Sequence, residues 1–161
     1  MTEDITQLAQ LLGNKLSAKG WQISCAESCT GGGVGYAITT ISGSSAWFKK
    51  GFITYSNDAK RDMLGVSEHT LSEYGAVSAT TVQEMAAGAA KYANAEIAVA
   101  ISGIAGPDGG TPEKPVGTVW FGFSINGQNI SQKLQIEGDR QTIRLKAVEF
   151  ALSTTLNLLQ K

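Results

Sequence analysis

The sequence predicts a single three-layer α/β/α domain over residues 1–161, built on a mixed, mostly parallel sheet and closed by a C-terminal hairpin and helix. Amphipathic segments alternate with short apolar runs along most of the chain. The run from Glu96 to Ser102 is almost continuously apolar, as expected of a strand covered on both faces. Asn126-Gly127 separates two strand-like segments near the C-terminus, a strong hairpin signal. Helical crossovers imply parallel pairing in the first part of the sheet, and the hairpin implies antiparallel pairing at its end.

The elements follow in order. Residues 4–19 carry Ile5, Leu8, Leu11, Leu12 and Leu16 at spacings near three and four and stop before Gly20, which predicts an amphipathic helix. Residues 21–25 read as a strand, 33–41 as a helix, 42–45 as a turn and 51–55 as a second strand. Residues 57–64, entered through Ser56 or Asn57, read as a short helix, and residues near 68–73 as another. The alanine-rich run 78–93 reads as a longer one, with Val82, Met85, Ala86 and Ala89 on one face. The strand at 96–102 is followed by a loop to residue 115 that holds all three prolines, longer than a minimal connector. Strands at 116–125 and 128–136 flank Asn126-Gly127, and Asp139 caps a final helix over 140–159 with Ile143, Ala147, Phe150, Ala151 and Leu158 inward.

Composition narrows the function classes. With 42% apolar and 17% charged residues, the 161-residue chain has material for one folded core. Thirteen basic against fourteen acidic residues give a net charge of −1, so no global field draws nucleic acid or an anionic membrane. The start lacks a basic leader and no apolar run reaches membrane-spanning length, so a cytoplasmic location is the default expectation. Cys25 and Cys29 build neither a disulfide framework nor a complete zinc set, and no metal site is expected. The single histidine, His69, lies in a polar helix entry, which weakens any Ser-His-Asp reading.

The segment 26–33, Ala-Glu-Ser-Cys-Thr-Gly-Gly-Gly, reads as a tight polar turn between strand and helix. A serine there would sit near unpaired N–H groups and the positive end of a helix dipole, which suit an oxyanion or a phosphate. Ser28 is therefore a candidate nucleophile, although Ser28 and Thr30 equally suit helix capping. Two other polar turns follow strands, at 55–58 and 102–110, and the three converge at one sheet edge if their strands run the same way. A serine nucleophile without a histidine needs another base. Lys60, if desolvated, and Tyr55 are the candidates, against the alternatives of a solvated helix cation and a strand-end packing residue. Cys29 is a rival nucleophile or a small core residue. Arg140 either binds a phosphate or pairs with Asp139 or Glu137, and Glu27 either orients Lys60 or faces solvent. The triglycine fits neither the Walker nor the dinucleotide pattern, and no aromatic-and-basic stripe suggests single-stranded nucleic acid.

Six motifs in order, Ala26-Glu27-Ser28-Cys29-Thr30-Gly31-Gly32, Ser44-Ser45-Ala46-Trp47-Phe48, residues 54–60, Gly75-Ala76-Val77-Ser78, residues 102–110 and Lys114-Pro115-Val116-Gly117-Thr118-Val119, closely resemble the CinA C-terminal domain family. The resemblance spans nearly the whole chain. It implies the activity of the family's stand-alone amidases: hydrolysis of the carboxamide of nicotinamide mononucleotide to nicotinate mononucleotide and ammonia, with no cofactor or metal. It implies Ser28 as nucleophile, with Lys60 and Tyr55 as proton-transfer partners. Amides of Thr30, Gly31 and Gly32 would serve as oxyanion or phosphate donors. Asn57, Gly103, Ala105, Gly106 and Arg140 would complete the nucleotide site. The family's self-association also implies a homo-oligomer, for which Trp47-Phe48 or the 116–136 hairpin would supply an apolar face if they are not core. The pyrophosphatase activity tied to the extra N-terminal domain of longer CinA proteins is not implied. A nucleotide-binding or regulatory module with little turnover is the competing reading, and another small-amide hydrolase a third.

Overall fold

The computed structural model describes residues 1–160. Helix α1 (Glu3–Lys19) leads into strand β1 (Ile23–Glu27), helix α2 (Gly33–Thr39), a 3-10 turn at Ser44–Ala46 and the short strand β2 (Phe52–Ile53). Helices α3 (Asn57–Leu64), α4 (Glu68–Tyr74) and α5 (Ala79–Ala93) follow, then strands β3 (Ile97–Gly103), β4 (Thr118–Ile125) and β5 (Gln128–Gln135), and helix α6 (Arg140–Leu159). Five helices start at a side chain that accepts a backbone N–H from three residues on: Thr2, Ser56, Ser67, Ser78 and Asp139. Helix α2 is the exception, because Gly32 has no side chain to offer.

The sheet order is β2-β1-β3-β4-β5. Strands β2, β1 and β3 are parallel, β4 runs against β3, and β5 against β4. The strands differ from their predicted extents, β1 and β2 most. β1 begins at Ile23, whose N–H bonds Trp47 O at 2.9 Å, and runs on through Glu27 in register with Ile101. β2 is cut to two residues, because its last bond, Thr54 N–H to Glu27 O at 2.8 Å, uses up β1, and the next N–H along, that of Ser28, crosses instead to Ile101 O. The helix predicted to reach residue 41 stops at Thr39, and β4 starts after a turn in which Thr118 N–H bonds Pro115 O.

Helices α1, α2 and α6 cover one face of the sheet and α3, α4 and α5 the other. β3 shows why both are dry. Ile97, Val99 and Ile101 point into the first layer, while Ala98 and Ala100 point into the second. On that second face a transverse row of small residues, Ala26, Ala100 and Gly122, pairs across β1, β3 and β4. Helix α5 lies directly on it: a Cβ on Gly122 would come within 2.1 Å of Val82 O. On its other side α5 presents Gly88 to α3, where a Cβ would come within 2.0 Å of Leu64 O. Sheet, α5 and α3 therefore stack main chain on main chain. Trp47 is buried against Gly13 of α1, and Phe48 packs partly buried on the same core.

Candidate active site

Parallel pairing places the carboxyl ends of β2, β1 and β3 side by side, so the three polar turns that follow them meet at one edge of the sheet. They line a cavity of about 290 Å³ together with the α4–α5 turn and the start of α6. Ser28, Tyr55, Asn57, Lys60, Gly103, Ala105, Gly106 and Arg140, all singled out from sequence, are in its wall.

At the cavity floor Lys60 Nζ lies 3.0 Å from Ser28 Oγ. It also donates to Thr54 O at 2.9 Å and Tyr55 O at 3.3 Å. Lys60 is 1% exposed, unlike its neighbour Arg61, which is held among Asp58, Asp62 and Glu68 at the surface. Burial lowers the lysine's pKa from 10.5 to about 8. As a neutral amine it keeps two N–H bonds for the Thr54 and Tyr55 carbonyls and turns its lone pair to the Ser28 hydroxyl. A fixed, desolvated amine beside a serine hydroxyl is placed where it can take up that hydroxyl's proton.

Glu27 neither orients Lys60 nor faces solvent. Its buried carboxylate accepts from Thr30 Oγ1 at 2.6 Å, Val34 N–H at 2.9 Å and Gly35 N–H at 3.0 Å, supplying the cap that Gly32 lacks. A resident carboxylate thus occupies the Val34 and Gly35 N–H groups at the start of α2. Thr30, Gly31 and Gly32 are correspondingly absent from the cavity wall. Thr30 turns to Glu27, the N–H of Gly31 bonds Ser28 O, and a Cβ on Gly32 would point at Ile53.

Tyr55 and Arg140 form the rim. The Tyr55 phenol is exposed and accepts from Arg140 Nη2 at 3.3 Å, while its backbone carbonyl is the group near Ser28 and Lys60. Arg140 Nη1 donates to Gly106 O at 2.7 Å, and Asp139 is occupied capping α6, its pKa lowered by the bonds from Thr142. Ser56 rather than Asn57 caps α3, which frees Asn57 for the wall. Cys29 lines the cavity, but burial raises its thiol pKa to about 11, so it stays protonated at neutral pH and is a poor nucleophile. His69 is exposed on α4, outside the cavity.

Ala76 and Val77, which sequence reasoning did not place at the site, come from the α4–α5 turn. Their only signal was that turn's presence among the ordered motifs. Lys114 ties the long loop to the same turn through Tyr74 O at 2.9 Å. Among the described residues no cluster of three or more His, Cys, Asp or Glu is placed to hold a metal, and no helix is long and apolar enough to cross a membrane.

Sequence and fold are both similar to those of known proteins. The CinA C-terminal domain profile matches residues 5–159. The chain is 58% identical to a nicotinamide-nucleotide amidohydrolase PncC of Enterobacter agglomerans, over 93% of this chain and 92% of that one. It is 54% identical to the protein of the same name from Escherichia coli strain K12, over 94% and 92%. Among solved structures, competence/damage inducible protein CihA of Agrobacterium tumefaciens superposes with a TM-score of 0.96 at 45% identity, over 100% of this chain and 98% of that one. The profile match over residues 5–159, with relatives 58% and 54% identical along nearly the whole length, makes this chain a member of the CinA C-terminal domain family.

Proposed function

We propose that the chain hydrolyses the carboxamide of nicotinamide mononucleotide to nicotinate mononucleotide and ammonia. The 3.0 Å approach of Lys60 Nζ to Ser28 Oγ at the floor of a cavity carries the reaction class. The names of the amidohydrolases to which the chain is 58% and 54% identical carry the substrate.

Neutral Lys60 takes the proton of Ser28 as Oγ attacks the carboxamide carbon, forming a tetrahedral intermediate. The resulting ammonium gives that proton to the departing nitrogen, so ammonia leaves and an acyl-serine remains. A water, deprotonated by the same amine, then cleaves the ester and restores Ser28. Thr54 O and Tyr55 O hold Nζ in place through each proton exchange. Arg140 at the rim supplies a planar cation for the phosphate of the nucleotide, with the Tyr55 hydroxyl beside it. Tyr55 thus serves through its carbonyl at the base and its phenol at the rim, and Lys60 is the base.

The test is ammonia release from nicotinamide mononucleotide by wild type and Ser28→Ala, with and without a chelator. Chelator-resistant release that drops by about 10³-fold or more in Ser28→Ala is expected. Nucleotide binding without release by wild type would overturn the amidase in favour of a binding module.

A further inference from the structure

One cation near the site has no part in the chemistry just described. Arg144, half-buried on α6, donates from Nε to Cys29 O at 3.0 Å and from Nη2 to Thr30 O at 3.4 Å. It forms no ion pair with a carboxylate among the described residues. Its polar contacts in the described residues are therefore two successive main-chain carbonyls of the turn that carries Ser28. A half-buried guanidinium that spends its hydrogen bonds on two neutral acceptors of one turn ties that turn to α6.

The Gly31 N–H bond to Ser28 O at 3.0 Å closes a β-turn whose central peptide joins Cys29 to Thr30. Turn types I and II differ by rotation of that peptide, which makes it the least determined unit of the turn. Arg144 holds the Cys29 carbonyl on the α6 side. Because the peptide is trans, the Thr30 N–H is held facing the other way. Arg140 lies four residues earlier on the same helix and grips Gly106 O and the Tyr55 hydroxyl. The first turns of α6 thus brace the rim with one arginine and the turn beneath Ser28 with the next.

We propose that Arg144 is a positioning residue that fixes the Ser28 turn, and hence the aim of Oγ relative to Lys60, from outside the cavity. The proposal rests on Ser28 being the nucleophile. Its test compares wild type, Arg144→Gln and Arg144→Lys in three measurements: kcat and KM for nicotinamide mononucleotide, melting temperature, and the rate of Ser28 labelling by an alkyl fluorophosphonate. In that labelling the Ser28 Oγ–P bond forms, the P–F bond breaks, fluoride leaves and the serine proton passes to Lys60.

Arg144→Gln should lower kcat by about 10- to 100-fold, change KM by less than about 3-fold, and slow labelling by the factor seen in kcat. Arg144→Lys should recover part of both losses, since an ammonium can hold one carbonyl in place of two. Unchanged kcat, or a loss that follows melting temperature while labelling of folded protein keeps its wild-type rate, would overturn the role. A wild type that is labelled at Ser28 yet does not hydrolyse the nucleotide would overturn the amidase reading, and the labelling ratio would still decide Arg144. A wild type that is not labelled at Ser28 would overturn the positioning proposal itself.

Discussion

Lys60 reaches the Ser28 hydroxyl from beneath, at 3.0 Å, with two carbonyls of its own chain holding the nitrogen in place. Only the neutral amine can accept the serine proton. With its pKa brought down to about 8, log kcat/KM should rise with unit slope below that pH and level off above it. Lys60→Met should lose about 10³-fold in kcat/KM and the inflection with it. A flat profile from pH 6 to 9, or an inflection near the ordinary lysine value of 10.5, would contradict the assignment. Stability carries the same signature. Between pH 8 and 10.5 the unfolded chain binds the proton that the folded one has released, so stability from this group rises with pH across that window. Denaturant titrations should show the rise in wild type and not in Lys60→Met.

Glu27 satisfies two N–H groups of α2 and the Thr30 hydroxyl from a site sealed from water. Glu27→Ala orphans all three and should cost about 3 kcal/mol, a fall of about 6–12 °C in melting temperature for a domain of this size. Glu27→Gln keeps a carbonyl acceptor and should lose about half as much. A melting temperature for Glu27→Ala within about 2 °C of wild type would show that the cap is dispensable.

Arg140 should matter in proportion to the phosphate. Arg140→Gln is expected to raise KM for the mononucleotide by about 10- to 100-fold and to leave kinetics on the corresponding nucleoside, which lacks phosphate, within about 2-fold. Equal losses on the two substrates would assign Arg140 to holding Gly106 and Tyr55 instead.

Alanine is the better helix former, yet at position 88 it should destabilise. Its Cβ would fall 2.0 Å from Leu64 O, forcing α3 away from α5. Gly88→Ala should cost about 2 kcal/mol and reduce kcat, because α3 carries Lys60. A stabilised, fully active Gly88→Ala would mean that α3 moves without consequence.

Much of this was legible in the chain itself. Spacing and caps predicted α3 and α6 with the bounds observed, and the apolar run at 96–102 marked the buried centre of the sheet. Ser28, Lys60 and Arg140 could be nominated because strand-turn-helix order fixes which residues sit at a sheet's carboxyl edge. The role of Glu27 was not legible, since its partners Val34 and Gly35 are backbone donors with no sequence signature. Nor was the brevity of β2, which depends on where its neighbour β1 turns away. Ala76 and Val77 are small apolar residues, and only tertiary packing of the α4–α5 turn brings them to the cavity.

The two glycine contacts of α5 reach beyond packing. Gly122 seats α5 on the sheet from whose edge Ser28 projects, and Gly88 seats α3, with Lys60, on α5. The gap between Ser28 Oγ and Lys60 Nζ therefore inherits the stiffness of the main-chain contacts that seat their two elements. Drift in the composition of the opposite layer around α1, away from the arginines of α6, can alter how firmly the protein folds while leaving that gap in tune.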